Sequence, residues 1–276
     1  MIILEPLGGL ANRMRVIASG VGLMRKLNTQ LTVIWNENYE LNCPYNLLFE
    51  NDEAFNIRQK ERKYSYIKTS NQTTLSKRIS TSIINKLIGV DYCIQEPDFF
   101  NLIWTNKLDI FEAAKKHRIT YIQTCQEFGD NSFAYQYFKP VLPISEKIEQ
   151  IIKQFTAYTI GVHIRRTDHT NSIQYSPIDL FINKMQAELD AKKDVTFFLS
   201  TDDPPTEKAI IAVFGPKVII YEKERSRQTV KGMQDAVVDL YCLSRTNKIL
   251  GSYWSSYTEI AAVFNNIELE VLKVHF

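Results

Sequence analysis

The run His163-Ile-Arg165-Arg166-Thr-Asp168 ends an apolar, alternating stretch from Tyr158 to Ile164 and sets two adjacent guanidinium groups at the carboxyl end of an expected strand. Strand side chains alternate faces, so Ile160, Val162 and Ile164 point one way while Gly161, His163 and Arg165 share the other. One face packs and the other is available to a ligand. Guanidinium groups are costly to bury unpaired, so the pair implies either an anionic ligand or an internal network with Asp168. Open α/β sheets bind ligands at this edge, which favours the anion.

Three further places carry polar groups suited to chemistry. The turn Gly8-Gly9-Leu-Ala-Asn12-Arg13 joins a first strand to a helix, where glycines let backbone and helix amides approach a ligand. It matches neither the Walker spacing nor the dinucleotide fingerprint, and the alternative is a tight turn with Asn12 and Arg13 capping or solvating the helix. Leu199-Ser-Thr-Asp202-Asp203-Pro-Pro ends another strand, where the paired acids hold a metal, contact a ribose or cap the next helix. A metal needs more oxygen ligands than this pair supplies. Asp239 interrupts an apolar helix face, and Ser255-Ser256 precede Tyr257-Thr-Glu-Ile-Ala-Ala, either as helix caps or as hydroxyls presented to a phosphate.

Regular elements must hold these groups in place. From Tyr158 onward, strands over Thr159–Arg165, Val195–Ser200, Lys217–Tyr221, Lys248–Gly251 and Leu269–Val274 alternate with helical patterns, one opened by Pro177 and one spanning Asp235–Leu243. Single helices between strands imply a doubly wound parallel sheet. The first half begins likewise, with strand Ile2–Glu5, a helix from Leu10 to Lys26 and strand Gln30–Trp35. Residues 50–89, rich in Ser, Thr, Asn, Lys and Arg, read as an inserted, partly mobile helical region. Order is expected again at Asp91–Gln95, Arg118–Cys125 and a helix over Glu146–Phe155. The domain junction falls near residue 157, giving domains 1–157 and 158–276.

With 276 residues and 45% hydrophobic content the chain can bury a large core. A net charge of +2 gives no general reason to expect nucleic acid or an anionic membrane, so any anion site is local. Cys43, Cys93, Cys125 and Cys242 lie far apart and signal neither zinc nor a dithiol. The start Met-Ile-Ile-Leu-Glu-Pro reads as a strand without a leader or anchor, so cytoplasmic residence is expected, and the sequon Asn71-Gln-Thr73 is taken as chance.

Taken in order, Gly-Gly-x-x-Asn-Arg, His-x-Arg-Arg-x-Asp, Ser-Thr-Asp-Asp-Pro, Asp-Leu-Tyr-x-Leu-Ser and a Ser-Ser pair before a helix resemble the superfamily of α1,6-, α1,2- and protein O-fucosyltransferases. The likeness is strong over about 158–262 and weaker over 1–35. It implies a GT-B arrangement, two Rossmann-like domains with parallel sheets facing across a cleft. The first would be the acceptor side and the second would hold the donor. It also implies inverting, metal-independent transfer of fucose from GDP-fucose to a glycan hydroxyl, with no cofactor beyond that donor. Carried onto this chain, Arg165 binds the β-phosphate with Arg166 beside it, Asp239 accepts from guanine and His163 sits against the nucleoside. Ser255 and Ser256 bind diphosphate oxygens. Gly8, Gly9, Asn12 and Arg13 close on the donor, and Asp202 and Asp203 help to position the nucleotide. Asp168 is expected to orient the arginines. Where the α1,6 branch has a lysine and then a glutamate, this chain has His169 and the neutral Ser172-Ile-Gln174-Tyr175, so no catalytic base is assigned. Two readings stand beside this one: a metal-dependent glycosyltransferase using Asp202 and Asp203, and a nucleotide-sugar binding protein without catalysis.

Overall fold

Short β-branched runs separated by helices build parallel sheets because successive strands cannot reverse in a tight hairpin. The computed structural model describes the chain except Lys60, Glu61, Thr73, Asp130, Asp168, His169, Lys193, His275 and Phe276. Two compact units result, Met1–Lys139 and Pro140–Phe276.

The first unit contains strands β1 (Ile2–Pro6), β2 (Leu31–Trp35), β3 (Asn56–Gln59), β4 (Tyr92–Gln95) and β5 (Thr120–Thr124), with helices α1 (Leu10–Leu27), α2 (Leu75–Ile88), α3 (Glu96–Asp98) and α4 (Ile110–Lys115). All strand pairs are parallel, in the order β3-β2-β1-β5-β4. The part expected to be an irregular helical insertion, 50–89, in fact supplies the edge strand β3 as well as α2. Its polar sequence suits an edge, where three of the four residues of β3 stay exposed.

The second unit carries β6 (Tyr158–Ile164), β7 (Val195–Thr201), β8 (Val218–Ile219), β9 (Lys248–Ser252) and β10 (Glu268–Leu272), with helices α5 (Leu142–Ile152), α6 (Thr170–Tyr175), α7 (Ile178–Ala191), α8 (Pro204–Phe214), α9 (Val230–Leu243) and α10 (Ser256–Phe264). Its order, β10-β9-β6-β7-β8, is again wholly parallel. The strand order reverses between β6 and β9, and the crevice beyond such a point is where doubly wound sheets take ligands. The division at Lys139 lies before the expected junction near 157, because α5 packs on α9 and so belongs to the second unit.

The alternation expected along β6 is present. Ile160, Val162 and Ile164 are fully buried with Phe181, Met185, Phe197, Leu199 and Ile210 on the α7 and α8 side. Gly161 turns to the other face, where an added Cβ would lie 2.9 Å from Leu243 Cδ2 and Thr246 Oγ1, so a larger residue would force those side chains to shift.

Candidate functional site

Parallel pairing brings His163 opposite Ser200 on β7 and Gly251 on β9. Helix α9 covers this face, and its Asp239 is received there: Ser200 Oγ donates to Asp239 Oδ2 at 2.8 Å. Lys223, from the loop between β8 and α9, donates to the same oxygen at 2.8 Å, with side chains only 2% and 9% exposed. That buried ion pair was not anticipated from the sequence. A carboxylate on an apolar helix face demands a partner, but Lys231 and Arg245 lie closer to Asp239 along the chain than Lys223 in Tyr221-Glu-Lys-Glu-Arg, so sequence proximity does not single Lys223 out. Arg225 fastens the same loop over the end of β7, donating from Nε to Thr201 O at 3.1 Å and from Nη2 to Glu207 at 2.6 Å.

The His163 ring stacks on Tyr257 of α10 at 4.9 Å, and the Tyr257 hydroxyl donates to Ala236 O on α9. Burial pushes the His163 imidazole down to about 4, so it is neutral at pH 7. At the strand end, Ser252 Oγ accepts from the Arg165 amide at 3.0 Å and donates to His163 O at 3.3 Å, fixing the backbone from which Arg165 projects.

Eight buried polar side-chain atoms lack a hydrogen-bond partner among the described residues, and in the second unit these are His163 Nδ1, Arg166 Nη1, Asp239 Oδ1 and Ser255 Oγ. Every one of those four belongs to a residue singled out from the sequence. Buried polar atoms are normally satisfied, and each exception costs on the order of 1–3 kcal/mol unless a ligand meets it. Ser255 makes the point most clearly. It occupies the N-cap position of α10 and is 1% exposed, yet its hydroxyl makes no capping bond. Capping, the commoner use expected of such a serine, is not what it does. Its hydroxyl lies at the end of a nine-residue helix whose first amides have no partner within the helix. Ser256 is the first residue of that helix.

The remaining second-unit candidates hold the loop after β6. Asp202 accepts from the Arg166 amide at 2.8 Å and from Thr167 N and Oγ1 at 3.3 and 2.8 Å. Asp203 caps α8, accepting from Thr206 N at 2.9 Å and Oγ1 at 2.6 Å. Both acids therefore accept from amides and hydroxyls of their own neighbouring loops and helix. Arg166 is half-buried, donates from Nη2 to Ser176 O at 2.7 Å, and is lowered from the usual arginine range by burial. Asp168 and His169 lie outside the described residues.

In the first unit the glycine turn is built as expected, with Gly8 at φ +84 and Gly9 at the N-cap of α1. A Cβ on Gly8 would fall 2.6 Å from Asn12 Nδ2. The Gly8 amide already donates to Glu40 at 3.2 Å, so an anion reaching it must displace that carboxylate. Arg13, predicted to close on the donor, is instead completely buried. It donates to Gly8 O at 2.9 Å, Asn36 O at 2.8 Å and Asn38 Oδ1 at 3.0 Å, and lies 4.8 Å from the Trp35 ring. Burial lowers it to about 10, with Glu40, Glu5 and Glu37 opposing. Arg13 braces the turn from inside.

No protein-family model matches the sequence, and no curated protein matches it. Solved structures do share its fold. The NodZ alpha-1,6-fucosyltransferase soaked with GDP-fucose superposes at a TM-score of 0.65 and 16% identity over 95% of this chain and 92% of that one. The fucosyltransferase NodZ from Bradyrhizobium gives 0.61 and 14% over 94% and 92%. POFUT1 in complex with GDP gives 0.59 and 10% over 98% of both chains. The two-unit, Rossmann-like α/β fold expected from the motif resemblance is thus the fold these fucosyltransferases have.

Proposed function

We propose that this protein is a GDP-fucose-dependent glycosyltransferase that moves fucose to a hydroxyl of a glycan acceptor, inverting the anomeric centre without a metal. The observation that carries the reading is the set of buried, unpartnered atoms His163 Nδ1, Asp239 Oδ1 and Ser255 Oγ, on three elements that meet beyond the β6–β9 switch point. Asp239 keeps Oδ1, with two lone pairs, for the adjacent N–H groups of a guanine edge. A base lacking those donors leaves the carboxylate unpaired and buried. Ser255 Oγ and the first amides of α10 suit a diphosphate, and His163 faces the nucleoside as a neutral imidazole.

In the reaction the acceptor oxygen forms a bond to C1 as the C1–O bond to the β-phosphate breaks. The acceptor hydroxyl loses its proton and GDP leaves with the electron pair. Negative charge grows on the departing diphosphate, and Arg165 offsets it more strongly in the transition state than in the ground state. Asp168 orients the arginines in this reading, and no residue is assigned as base.

The metal-dependent reading is disfavoured by the carboxylates on which it relies, since Asp202 serves backbone amides and Asp203 a helix cap. Thermal melting with GDP, UDP and ADP in chelator separates the readings. GDP alone is expected to raise the melting temperature, and Arg165→Ala to remove both that shift and fucose transfer to an oligosaccharide panel. Stabilisation by UDP, or by GDP only with added metal, would overturn the proposal. Binding of GDP without transfer or slow hydrolysis of GDP-fucose would leave a non-catalytic binding protein.

A further inference from the structure

Helix α2 presents its apolar side outward. Leu75, Ile79, Ile83 and Leu87 recur every fourth residue, so they form one stripe along the 14-residue helix, and they are 73%, 55%, 56% and 83% exposed. The side facing the unit carries Thr81 and Asn85, its two buried residues, with Ile88 packed against the core at the last turn. Asn85 pins the helix down, donating from Nδ2 to Lys68 O at 2.8 Å and accepting from Lys68 N at 3.3 Å. A surface helix ordinarily has the opposite arrangement. Four branched side chains in line on a surface need a reason beyond the scatter of single exposed apolar residues.

Charge identifies the partner. Residues 57–88 contain eight Lys and Arg against one Glu, a local charge of +7 in a chain whose total is +2. Within α2, Lys77, Arg78 and Lys86 are exposed and there is no acid. A second copy of this chain seated on the stripe would bring two such positive surfaces together, which opposes self-association. An outward apolar stripe on a cationic surface has the chemistry of a helix lying in an anionic lipid interface. Among the described residues no helix is long and apolar enough to cross a membrane, so α2 would lie on the bilayer.

We propose that the protein docks peripherally on anionic phospholipid surfaces through α2, with Leu75, Ile79, Ile83 and Leu87 entering the acyl boundary and the lysines and Arg78 meeting headgroups. This stands independently of the donor reading. The test is co-sedimentation of the full chain with vesicles of phosphatidylcholine alone and with about one-third phosphatidylglycerol. Binding is expected only with the anionic vesicles, and weakens at high salt as the Debye length shrinks from about 10 Å at 0.1 M to about 3 Å at 1 M. The exposed replacements Ile79→Ser with Ile83→Ser, and separately Lys77→Ser with Arg78→Ser, are each expected to weaken partitioning at least about tenfold while the melting temperature holds. Absence of binding to anionic vesicles, or binding that survives both pairs of substitutions, would overturn the proposal. So would a dimer in sedimentation velocity that Ile79→Ser with Ile83→Ser dissolves, because the stripe would then belong to a second copy.

Discussion

Asp239→Asn and Lys223→Met, made singly and together, separate what the buried carboxylate does for the fold from what it does for a ligand. The pair sits 2.8 Å apart, almost fully out of water. Removing one partner leaves the other charge uncompensated, at about 3–5 kcal/mol, whereas replacing both by neutral groups of similar shape is close to neutral. At about 3 °C per kcal/mol for a unit of this size, each single variant is expected to melt on the order of 10 °C lower, and the double variant to regain most of that. GDP affinity follows a different rule. Ser200 Oγ keeps its acceptor if the asparagine carbonyl faces it, which turns the amide N–H groups toward the base and sets donor against donor. The loss is about 1–3 kcal/mol, a factor of roughly 5 to 150 in Kd. The informative protein is therefore the double variant, stable but weak for GDP. Scanning calorimetry without ligand and isothermal titration with GDP measure the two quantities. A double variant that binds GDP as tightly as the parent would refute the guanine assignment, and single variants that melt with the parent would refute the ion-pair argument.

Ser255→Ala and Asp203→Ala should behave in opposite ways. The first breaks no capping bond and is expected to leave melting unchanged while weakening GDP several-fold; the second removes a cap worth about 1 kcal/mol and leaves GDP affinity alone. Exchange of these phenotypes in paired melting and titration experiments would contradict the site. Because burial holds His163 at about 4 in the native state against about 6.5 unfolded, its contribution to stability is complete above pH 6.5. That contribution is lost as the pH falls toward 4, by about 3 kcal/mol, since the unfolded chain takes up a proton the native one refuses. Urea midpoints at pH 7, 5.5 and 4.5 should show His163→Gln flattening that slope, and a slope unchanged by the substitution would be the adverse result. Gly8→Ala, at φ +84 and 2.6 Å from Asn12 Nδ2, is expected to destabilise the first unit by about 1–3 kcal/mol, read as an earlier melt.

What the sequence revealed follows from which residues obey local rules. The alternation of Tyr158–Ile164 placed His163 and the packing face of β6 correctly, because burial on one side of a strand leaves a period of two. The strand β3 carries no sequence signal because an edge strand needs no apolar pattern, and Asn56-Ile-Arg-Gln shows almost none. The division falls at Lys139 rather than near 157 because α5, whose buried face lies on α9, reads locally as a helix leading into a domain. Arg13 looked like a ligand group because its type and its position after two glycines are those of one, and only the fold shows Asn36, Asn38 and Trp35 closing around it. Lys223 belongs to no repeating pattern and became significant once Asp239 was found buried.

In the proposed function, His163 Nδ1, Asp239 Oδ1 and Ser255 Oγ are expected to meet one nucleotide. A crystal structure with GDP tests it most directly. The guanine edge is expected within hydrogen-bonding distance of Asp239 Oδ1, the diphosphate on Ser255 Oγ and the Arg165 guanidinium, and the His163 ring against the nucleoside. GDP bound elsewhere, with Asp239 Oδ1 and Ser255 Oγ still unpaired, would contradict it.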